Sequence, residues 1–505
     1  MNAAVLTMRD GLTLPIYLLF FVAPAVLWLG MLVGSRWLRP ARWLQTRSLP
    51  EQAVARGLIW LVSILMVLRV TAGALALLQW GNLWALGLFY PLRVASPNYH
   101  FLAGLPWFAL LMAMVWQWPR LKQWIDGSRH RYLALWLIAI AVLLAFAGIE
   151  GGIVNGVSGV YTSQEQIDDL QYARWEASFF HEHLQRVAGS VQPPYIASHS
   201  VTHPPLSLLI FRLVQPLGAF AMGLLTLCLF AAIVPLLATV IAARGGGDKT
   251  ATLALLALAT PGYLVFGAGS DDALYYLLWT CVLVSGWWGV ERRRPVWTLV
   301  AGFLIALACN ITYASLILIP GVLAFTAQRP FRELPDYLRR NFVSIVSLMA
   351  AMLAVLGIGL ALTGFNILQG MQTVMDYQHR YLFTTLLHSD PVRAVSERMM
   401  TIFDFVIFAG PVMLATWLLA FRQRARQPWL WSIPAVAFVV VVGYIAPTTP
   451  GAGETGRGWG GLYVCWWLGT GLWLAQKWEA ATLERLLRFA LVYAGLFQLV
   501  VDFGW

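Results

Sequence analysis

Charge is scarce in this chain, and lysine is almost missing. Only 11% of the 505 residues are charged, 59% are hydrophobic, and the lysines are Lys122, Lys249 and Lys477 alone. About 25% of a soluble globular domain is charged, so this composition excludes that class and predicts an integral membrane protein. The excess of arginine over lysine favours a bacterial source.

Cysteine is equally sparse, with 4 residues in the chain. All lie within apolar segments and none has CxxC spacing, so no disulfide or metal framework is expected. The alternating ten-residue pattern of an outer-membrane barrel is missing, as are nucleic-acid-binding motifs. What remains is an all-α bundle of transmembrane helices.

Long apolar runs are abundant, and they predict about fourteen membrane spans. The first run is too long, and lacks the cleavage site, to be a removed signal peptide. A pair of spans within 296–327 is too short for two full crossings. The predicted spans lie near 13–34, 57–79, 101–117, 133–149, 219–242, 251–268, 273–290, 296–327 (two), 342–364, 405–420, 429–446, 460–475 and 489–502.

The basic residues set the predicted orientation, because positively charged loops stay in the cytoplasm. Most of the 34 lysines and arginines cluster in alternate loops, which places those loops inside and explains the net charge of +11. The opposite, extracytoplasmic face receives 150–218, 365–404, 447–459 and a short turn near Ser270. Of the 8 histidines, only His130 falls in a cytoplasmic loop.

The longest outer segment carries an acidic pair, Asp168 and Asp169. The stretch 161–187 predicts one helix lying at the membrane interface, with the two aspartates in its first turns. Negative charge there suits the helix dipole, so a purely structural role stays open beside a catalytic one.

A histidine and two prolines follow in the sequence YIASHSVTHPPL. Consecutive prolines fit the first turn of a helix, which predicts that His203 lies just before a helix beginning at Pro204. His199 borders this turn. A zinc site built from His181, His183, His199 and His203 is disfavoured, since the HxH spacing points two of the rings to different faces of a helix.

Two further polar groups stand at the start of predicted spans. Asp271 and Asp272 precede a helix expected to begin at Ala273, where one of them suits the cap. Glu454 and Arg457 lie in the Gly- and Pro-rich stretch PTTPGAGETGRGWGGLY and could pair with each other. A guanidinium also suits bidentate phosphate recognition.

In this order the motifs IDDLQYA, HPPL and ETGRGW resemble those of the polyprenyl-phosphate-sugar-dependent membrane glycosyltransferases of the GT-C superfamily, especially the protein O-mannosyltransferase and aminoarabinose transferase group. The resemblance covers mainly 133–320, with a looser match at 447–463. Asp169 stands where that group's pattern has glutamate. Residues 1–132, with three spans, have no counterpart there and are predicted to form an accessory bundle or a partner surface ahead of a catalytic core at 133–505.

The resemblance implies transfer of a sugar from a polyprenyl-phosphate donor to an acceptor hydroxyl on the extracytoplasmic face of a bacterial inner membrane. Asp168, with Asp169 second, is then the general base. Arg457 and His203 stabilise the departing phosphate. The other residues implied in substrate binding are Tyr172, His199, Asp271, Asp272 and Glu454.

The implied partners are the lipid-linked donor, an acceptor glycan, lipid or protein, and membrane lipids, with no nucleic acid. No cofactor or divalent metal is expected, because the donor is a co-substrate with a monophosphate leaving group. Two alternatives stay open. One is a ligase or polymerase of lipid-diphosphate-linked glycans, favoured by Arg380, Arg393 and Arg398. The other is a transporter or flippase, which would place charges at mid-bilayer in broken helices.

Overall fold

The computed structural model describes residues 54, 93–94, 99–162, 169–188, 200–201, 203–269, 272–313, 315, 334–378, 408–416, 419 and 460–502. Within these residues the chain is almost entirely helical, as predicted. A two-residue ladder pairs β1 (Arg93–Val94) antiparallel with β2 (Val501–Asp502). The predicted spans 13–34, 57–79 and 429–446 lie outside the described residues, so the total of fourteen stays a prediction.

The described helices overlap predicted spans and add short helices between them, but the predicted span 251–268 is two helices bent by 66°. The first half of the described chain contains α1 (Tyr99–Trp116), α2 (Trp118–Gly127), α3 (Arg131–Ile149), α4 (Ile153–Thr162), α5 (Ala177–Val187), α6 (Pro205–Val214), α7 (Ala219–Phe230) and α8 (Ile233–Ala243). The second half contains α9 (Thr250–Leu258), α10 (Pro261–Gly269), α11 (Asp272–Glu291), α12 (Pro295–Cys309), α13 (Leu334–Arg340), α14 (Phe342–Thr363), α15 (Ile367–Gln378), α16 (Gly460–Lys477) and α17 (Ala480–Val500).

Membrane spanning follows from length and apolarity. Among the described residues, four stretches are long and apolar enough to cross a bilayer, namely Arg131–Ile149, Ala219–Ala243, Asp272–Glu291 and Phe342–Thr363. Two bent pairs pass the same test, Leu102–Trp116 with Trp118–Gly127 at 60° and Gly247–Leu258 with Pro261–Ala268 at 66°. The protein is therefore an integral membrane protein.

The helix α14 is the most peripheral of the four long stretches. Only Ser344, Leu348 and Met352 are buried in it, and Gly302 of α12 lies against the Leu348 carbonyl. Met349, Val355 and Leu356 are half-buried against the core, and most of the remaining apolar surface is exposed, as a lipid-facing helix requires.

The short helix α4 is a feature that the sequence did not predict. Gly151 and Gly152 adopt φ of 111° and 99°, which glycine tolerates, and this turn folds α4 back onto α3. A Cβ on Gly156 would overlap the Ala147 carbonyl oxygen of α3. The Tyr161 and Thr226 hydroxyls form a buried 2.8 Å hydrogen bond to α7. A helix too short to span is thus packed between two spans.

The helix α1 packs directly on the helices that follow the predicted division at residue 132. Gly148 of α3 lies against the Trp107 ring, and Leu111 is fully buried. Gly495 of α17 accommodates Leu111 from the other side. The accessory role of residues 1–132 stays a prediction, and α1 itself contacts the neighbouring helices closely.

Ion pairs join the predicted cytoplasmic loops to one another. The Lys122 ammonium lies 3.3 Å from the Glu484 carboxylate, which connects α2 to α17. The Arg244 guanidinium lies 3.0 Å from the Glu291 carboxylate, which connects the end of α8 to the end of α11. Exposed pairs contribute about 0–1 kcal/mol each. The Arg244–Glu291 pair is of this kind, with side chains 32% and 45% exposed, whereas the side chains of Lys122 and Glu484 are only 14% and 22% exposed. Both pairs show that these segments lie close together.

Candidate active site

The chain leaves the helical conformation after Leu170, so the prediction of one continuous helix over 161–187 was wrong. The backbone N–H of Tyr172 donates to the Asp169 carbonyl at 3.1 Å, and that of Ala173 donates to the Leu170 carbonyl at 3.1 Å. Residues 171–176 are not helical, and α5 begins at Ala177.

The phase of the buried side chains explains the break. Leu170 and Phe179 are both buried, yet at 100° per residue they would point to opposite faces of a continuous helix. Non-helical residues between them allow both to face the core. Asp169, just before this break, has no exposed surface. Asp168 lies outside the described residues.

Tyr172 is held against α5 by an arginine. The Arg186 guanidinium lies over the Tyr172 ring, 4.5 Å from its centroid. It also pairs with Glu182 one turn earlier, at 3.2 Å, with the arginine side chain 11% exposed and the glutamate 47%. A cation over an aromatic ring contributes about 0.5–2 kcal/mol, more when water is excluded. Arg186 therefore connects Tyr172, in the non-helical residues 171–176, to α5.

His183 lies on α5 three residues before Arg186 and is completely buried. Its ring hydrogen-bonds to the backbone of His203. The rings of Phe179 and Phe365 meet the imidazole edge-on, with centroids 6.3 Å and 6.1 Å away. The hydrogen bond joins α5 to the residue that precedes the double proline.

The double proline starts a helix as predicted, one residue later than expected. Pro204 is the extended N-cap residue, at φ −63° and ψ 157°, and α6 begins at Pro205. The Ser207 hydroxyl donates to the Pro204 carbonyl at 2.8 Å, which closes the first turn. Both prolines are buried and His203 is half-buried. His199 lies outside the described residues.

Phe365 reaches His183 from the connection between α14 and α15. Gly364 ends α14 at φ 69°, and the Asn366 carboxamide accepts the backbone N–H of Leu368 at 3.0 Å, which caps α15. Phe365, between the end of α14 and the cap of α15, is buried. The start of the predicted outer segment 365–404 is thus helical and packed against α5.

Burial, with a smaller contribution from the charge of His203, lowers the pKa of His183 from the ordinary 6.5 to about 3. The hydrogen bond to the His203 backbone opposes this shift only in part. The folded protein therefore keeps His183 neutral, whereas the unfolded chain binds a proton below pH 6.5.

This difference predicts a loss of stability in acid. Between pH 6.5 and about pH 3 the unfolded state binds the extra proton, so His183 is expected to cost up to about 1.4 kcal/mol of unfolding free energy for each pH unit. Thermal unfolding of His183→Phe should then depend less steeply on pH than that of the wild type. The exposed His181 on the same helix provides the control, and His181→Phe should keep the wild-type slope. Equal slopes for both variants would contradict the neutral His183.

Of the remaining predicted residues, Asp272 alone lies within the described part of the chain, at the start of α11. Asp272 is the first residue of α11, as predicted to within one position, and it is half-buried. One turn later the Tyr276 ring lies directly against Gly460, the first residue of α16. The Tyr263 hydroxyl donates to the Gly460 carbonyl at 2.8 Å. Asp271, Glu454 and Arg457 lie outside the described residues.

The tyrosines around Gly460 form a buried cluster. Ring centroids are 5.3 Å apart for Tyr263 and Tyr276, and 5.5 Å apart for Tyr263 and Tyr463. Aromatic pairs at such distances add about 0.5–1.5 kcal/mol beyond their burial. The cluster fixes the start of α16, three residues after Arg457, beside the start of α11 that carries Asp272.

The structure therefore connects Tyr172 and His203 to one helix, α5, through Arg186 and His183, and it buries Asp169 in the segment that leads to that helix. Asp272 lies at the start of α11, one turn before Tyr276. Sequence reasoning missed the structural importance of His183, Arg186 and Phe365. A signal for His183 was present, because Phe179, His183 and Val187 recur every four residues and all three are buried. His181 is exposed, so the two histidines of the HxH pair face apart. The described residues contain no group of three or more metal-ligating side chains.

Comparison with known proteins adds no assignment, since no protein family, curated protein or solved structure matches this chain.

Proposed function

We propose that this protein is a membrane glycosyltransferase that moves a sugar from a polyprenyl-phosphate donor to an acceptor hydroxyl. The observation that carries the proposal is the meeting of the IDDLQYA and HPPL motifs on α5. Arg186 contacts Tyr172 of the first motif, and His183 bonds to His203 of the second. Two motifs some thirty residues apart thus contact one short helix. The resemblance to the GT-C superfamily supports the same reading.

The proposed reaction is a displacement at the anomeric carbon. Asp168 accepts the proton of the acceptor hydroxyl as its oxygen attacks, and Asp169 is the second candidate. The bond between the anomeric carbon and the phosphate oxygen breaks, and polyprenyl phosphate leaves with the electron pair. His203 and Arg457 supply donors and positive charge where that negative charge develops.

The remaining residues have proposed binding roles. Tyr172, held under Arg186, offers a ring and a hydroxyl to the sugar. His199, Asp271, Asp272 and Glu454 orient the sugar or the acceptor. The proposal needs no cofactor, because the lipid-linked donor is a co-substrate.

A location at the membrane surface suits this chemistry. The distribution of arginine and lysine favours a site on the extracytoplasmic side, where the head group of a lipid-linked donor lies. The scarcity of lysine favours a bacterial inner membrane. Membrane lipids and an acceptor glycan, lipid or protein are the proposed partners.

The proposal is tested with the full-length chain in nanodiscs and a panel of labelled donors. We expect polyprenyl-phosphate sugars to transfer label to an acceptor in membrane extract, with release of polyprenyl phosphate. Polyprenyl-diphosphate-linked glycans should leave the acceptor unlabelled. Reaction of the diphosphate donors alone would favour a ligase or polymerase. Movement of donor across a liposome membrane without a new glycosidic bond would favour a transporter. Either result would overturn the proposal.

A further inference from the structure

His183 occupies a position that suits neither catalysis nor simple packing. It is fully buried, so it cannot contact a substrate directly. A leucine or phenylalanine would fill such a site without desolvating a polar ring, which costs free energy unless the ring is hydrogen-bonded. The cost is offset here in part by a hydrogen bond to the backbone of His203.

The surroundings of His183 fix its orientation. Phe179 meets the imidazole at an interplanar angle of 68° and Phe365 at 75°, so two aromatic edges hold it from different elements. Phe365 also contacts Phe180, with centroids 6.4 Å apart. The charged groups on the same helix, Arg186 and Glu182, pair with each other one turn away. The imidazole is therefore held rigidly with its hydrogen bond directed at one carbonyl.

The partner of this hydrogen bond is the backbone of the residue before the double proline. The residue before a proline is restricted to extended conformations, so the His203 backbone has few alternatives once its carbonyl is held. Its side chain is half-buried, in contrast to the fully buried His183. Fixing the carbonyl thus fixes the direction in which the His203 side chain leaves the chain.

We propose that His183 is a positioning residue that sets the orientation of His203 through the hydrogen bond to its backbone. This inference deepens the proposed function and rests on it for the role of His203 toward the lipid phosphate. His183 itself stays neutral and transfers no proton in the reaction.

The test compares two variants of the full chain. His183→Phe keeps an aromatic ring between Phe179 and Phe365 and removes the hydrogen bond, whereas His183→Asn keeps a side-chain N–H donor. Both are treated with diethyl pyrocarbonate, and the modification rate of His203 is measured by peptide mass spectrometry against the exposed His181 as an internal reference. We expect His183→Phe to change the His203 rate about threefold or more, and His183→Asn to restore the wild-type rate, as the loss and retention of one hydrogen bond predict.

An unchanged His203 rate in folded His183→Phe would overturn the inference. If that variant fails to fold, the tautomer and protonation state of His183 are measured in the wild type by ¹⁵N NMR of histidine-labelled protein. The His183 signal is assigned by its loss in His183→Asn. We expect His183 to show one neutral tautomer from about pH 5 to pH 8, and its protonation in that range would overturn the inference.

Parallel transfer assays separate this inference from the proposed function. With a polyprenyl-phosphate sugar as donor, His183→Phe should lower kcat by about tenfold to a hundredfold with little change in KM for the acceptor, and His183→Asn should recover most of it. A wild type without transferase activity whose His203 reactivity still depends on His183 would refute the proposed function and leave the positioning role standing. Transferase activity that is unchanged in His183→Phe would support the proposed function and refute the positioning role of His183.

Discussion

Replacement of Asp168 by asparagine is expected to lower the rate of sugar transfer by about 10²–10⁴-fold, the usual contribution of a general base. Asparagine keeps the size of the side chain and removes the ability to accept the hydroxyl proton. Donor binding and the melting temperature should stay near the wild-type values. The rate is measured with labelled polyprenyl-phosphate sugar under single-turnover conditions, which separate the chemical step from product release.

The neighbouring Asp169 is the matched control for that substitution. Asp169 has no exposed surface, and its backbone carbonyl accepts the Tyr172 N–H. Asp169→Asn should therefore destabilise the protein by about 1–3 kcal/mol, the range for a disturbed buried polar group, with a smaller effect on transfer. Loss of transfer in Asp169→Asn without loss of stability, beside an active Asp168→Asn, would exchange the roles of the two aspartates.

Substitution of Gly156 by alanine is expected to destabilise the membrane bundle strongly. The added methyl would overlap the Ala147 carbonyl oxygen, a backbone atom that moves only if α3 and α4 separate. Overpacking of this kind costs about 1–3 kcal/mol, more than the helix propensity gained by replacing glycine. Thermal unfolding in detergent provides the measurement.

Gly159 on the same helix is the control for Gly156. A Cβ there meets nothing within 4 Å, so Gly159→Ala should be neutral or stabilise α4 by up to about 1 kcal/mol. A Gly156→Ala variant as stable as Gly159→Ala would mean that α4 does not pack on α3. Gly223→Ala on α7 would repeat the test from the other side, where the methyl would overlap the Val157 carbonyl oxygen.

The sequence predicted the parts of this fold that depend on local signals. Apolar length located α3, α11 and α14, and the double proline located the start of α6 to within one residue. These features follow from the thickness of a bilayer and from the conformational restriction of proline. Neither requires knowledge of what the segment contacts.

The sequence could not predict features that depend on tertiary contacts. The helix α4 is too short to cross a membrane, and its sequence is more apolar than that of an ordinary loop. Its apolar side chains are accounted for by packing between α3 and α7. The break after Leu170 follows from burial on two sides of one segment. The contact of Arg186 with Tyr172 depends on that break, because it brings the turn back over α5.

The sequence likewise predicted some residues of the candidate site but not the contacts between them. Residue type and order singled out Asp169, Tyr172 and His203, whereas the contacts of Tyr172 and His203 with α5 became visible only in three dimensions. The sequence pattern around His183 indicates at most a metal ligand. Its buried position between two phenylalanines, with a lowered pKa, suits a structural hydrogen bond instead.

The most direct test of the account is a cryo-EM structure of the full chain in nanodiscs with a bound polyprenyl-phosphate sugar. The account predicts that the phosphate lies within hydrogen-bonding distance of the His203 side chain, with the sugar beside the turn of Asp169 and Tyr172. The His183 ring should still bond to the His203 backbone. A donor whose phosphate binds away from α5 and from the start of α6 would contradict the account.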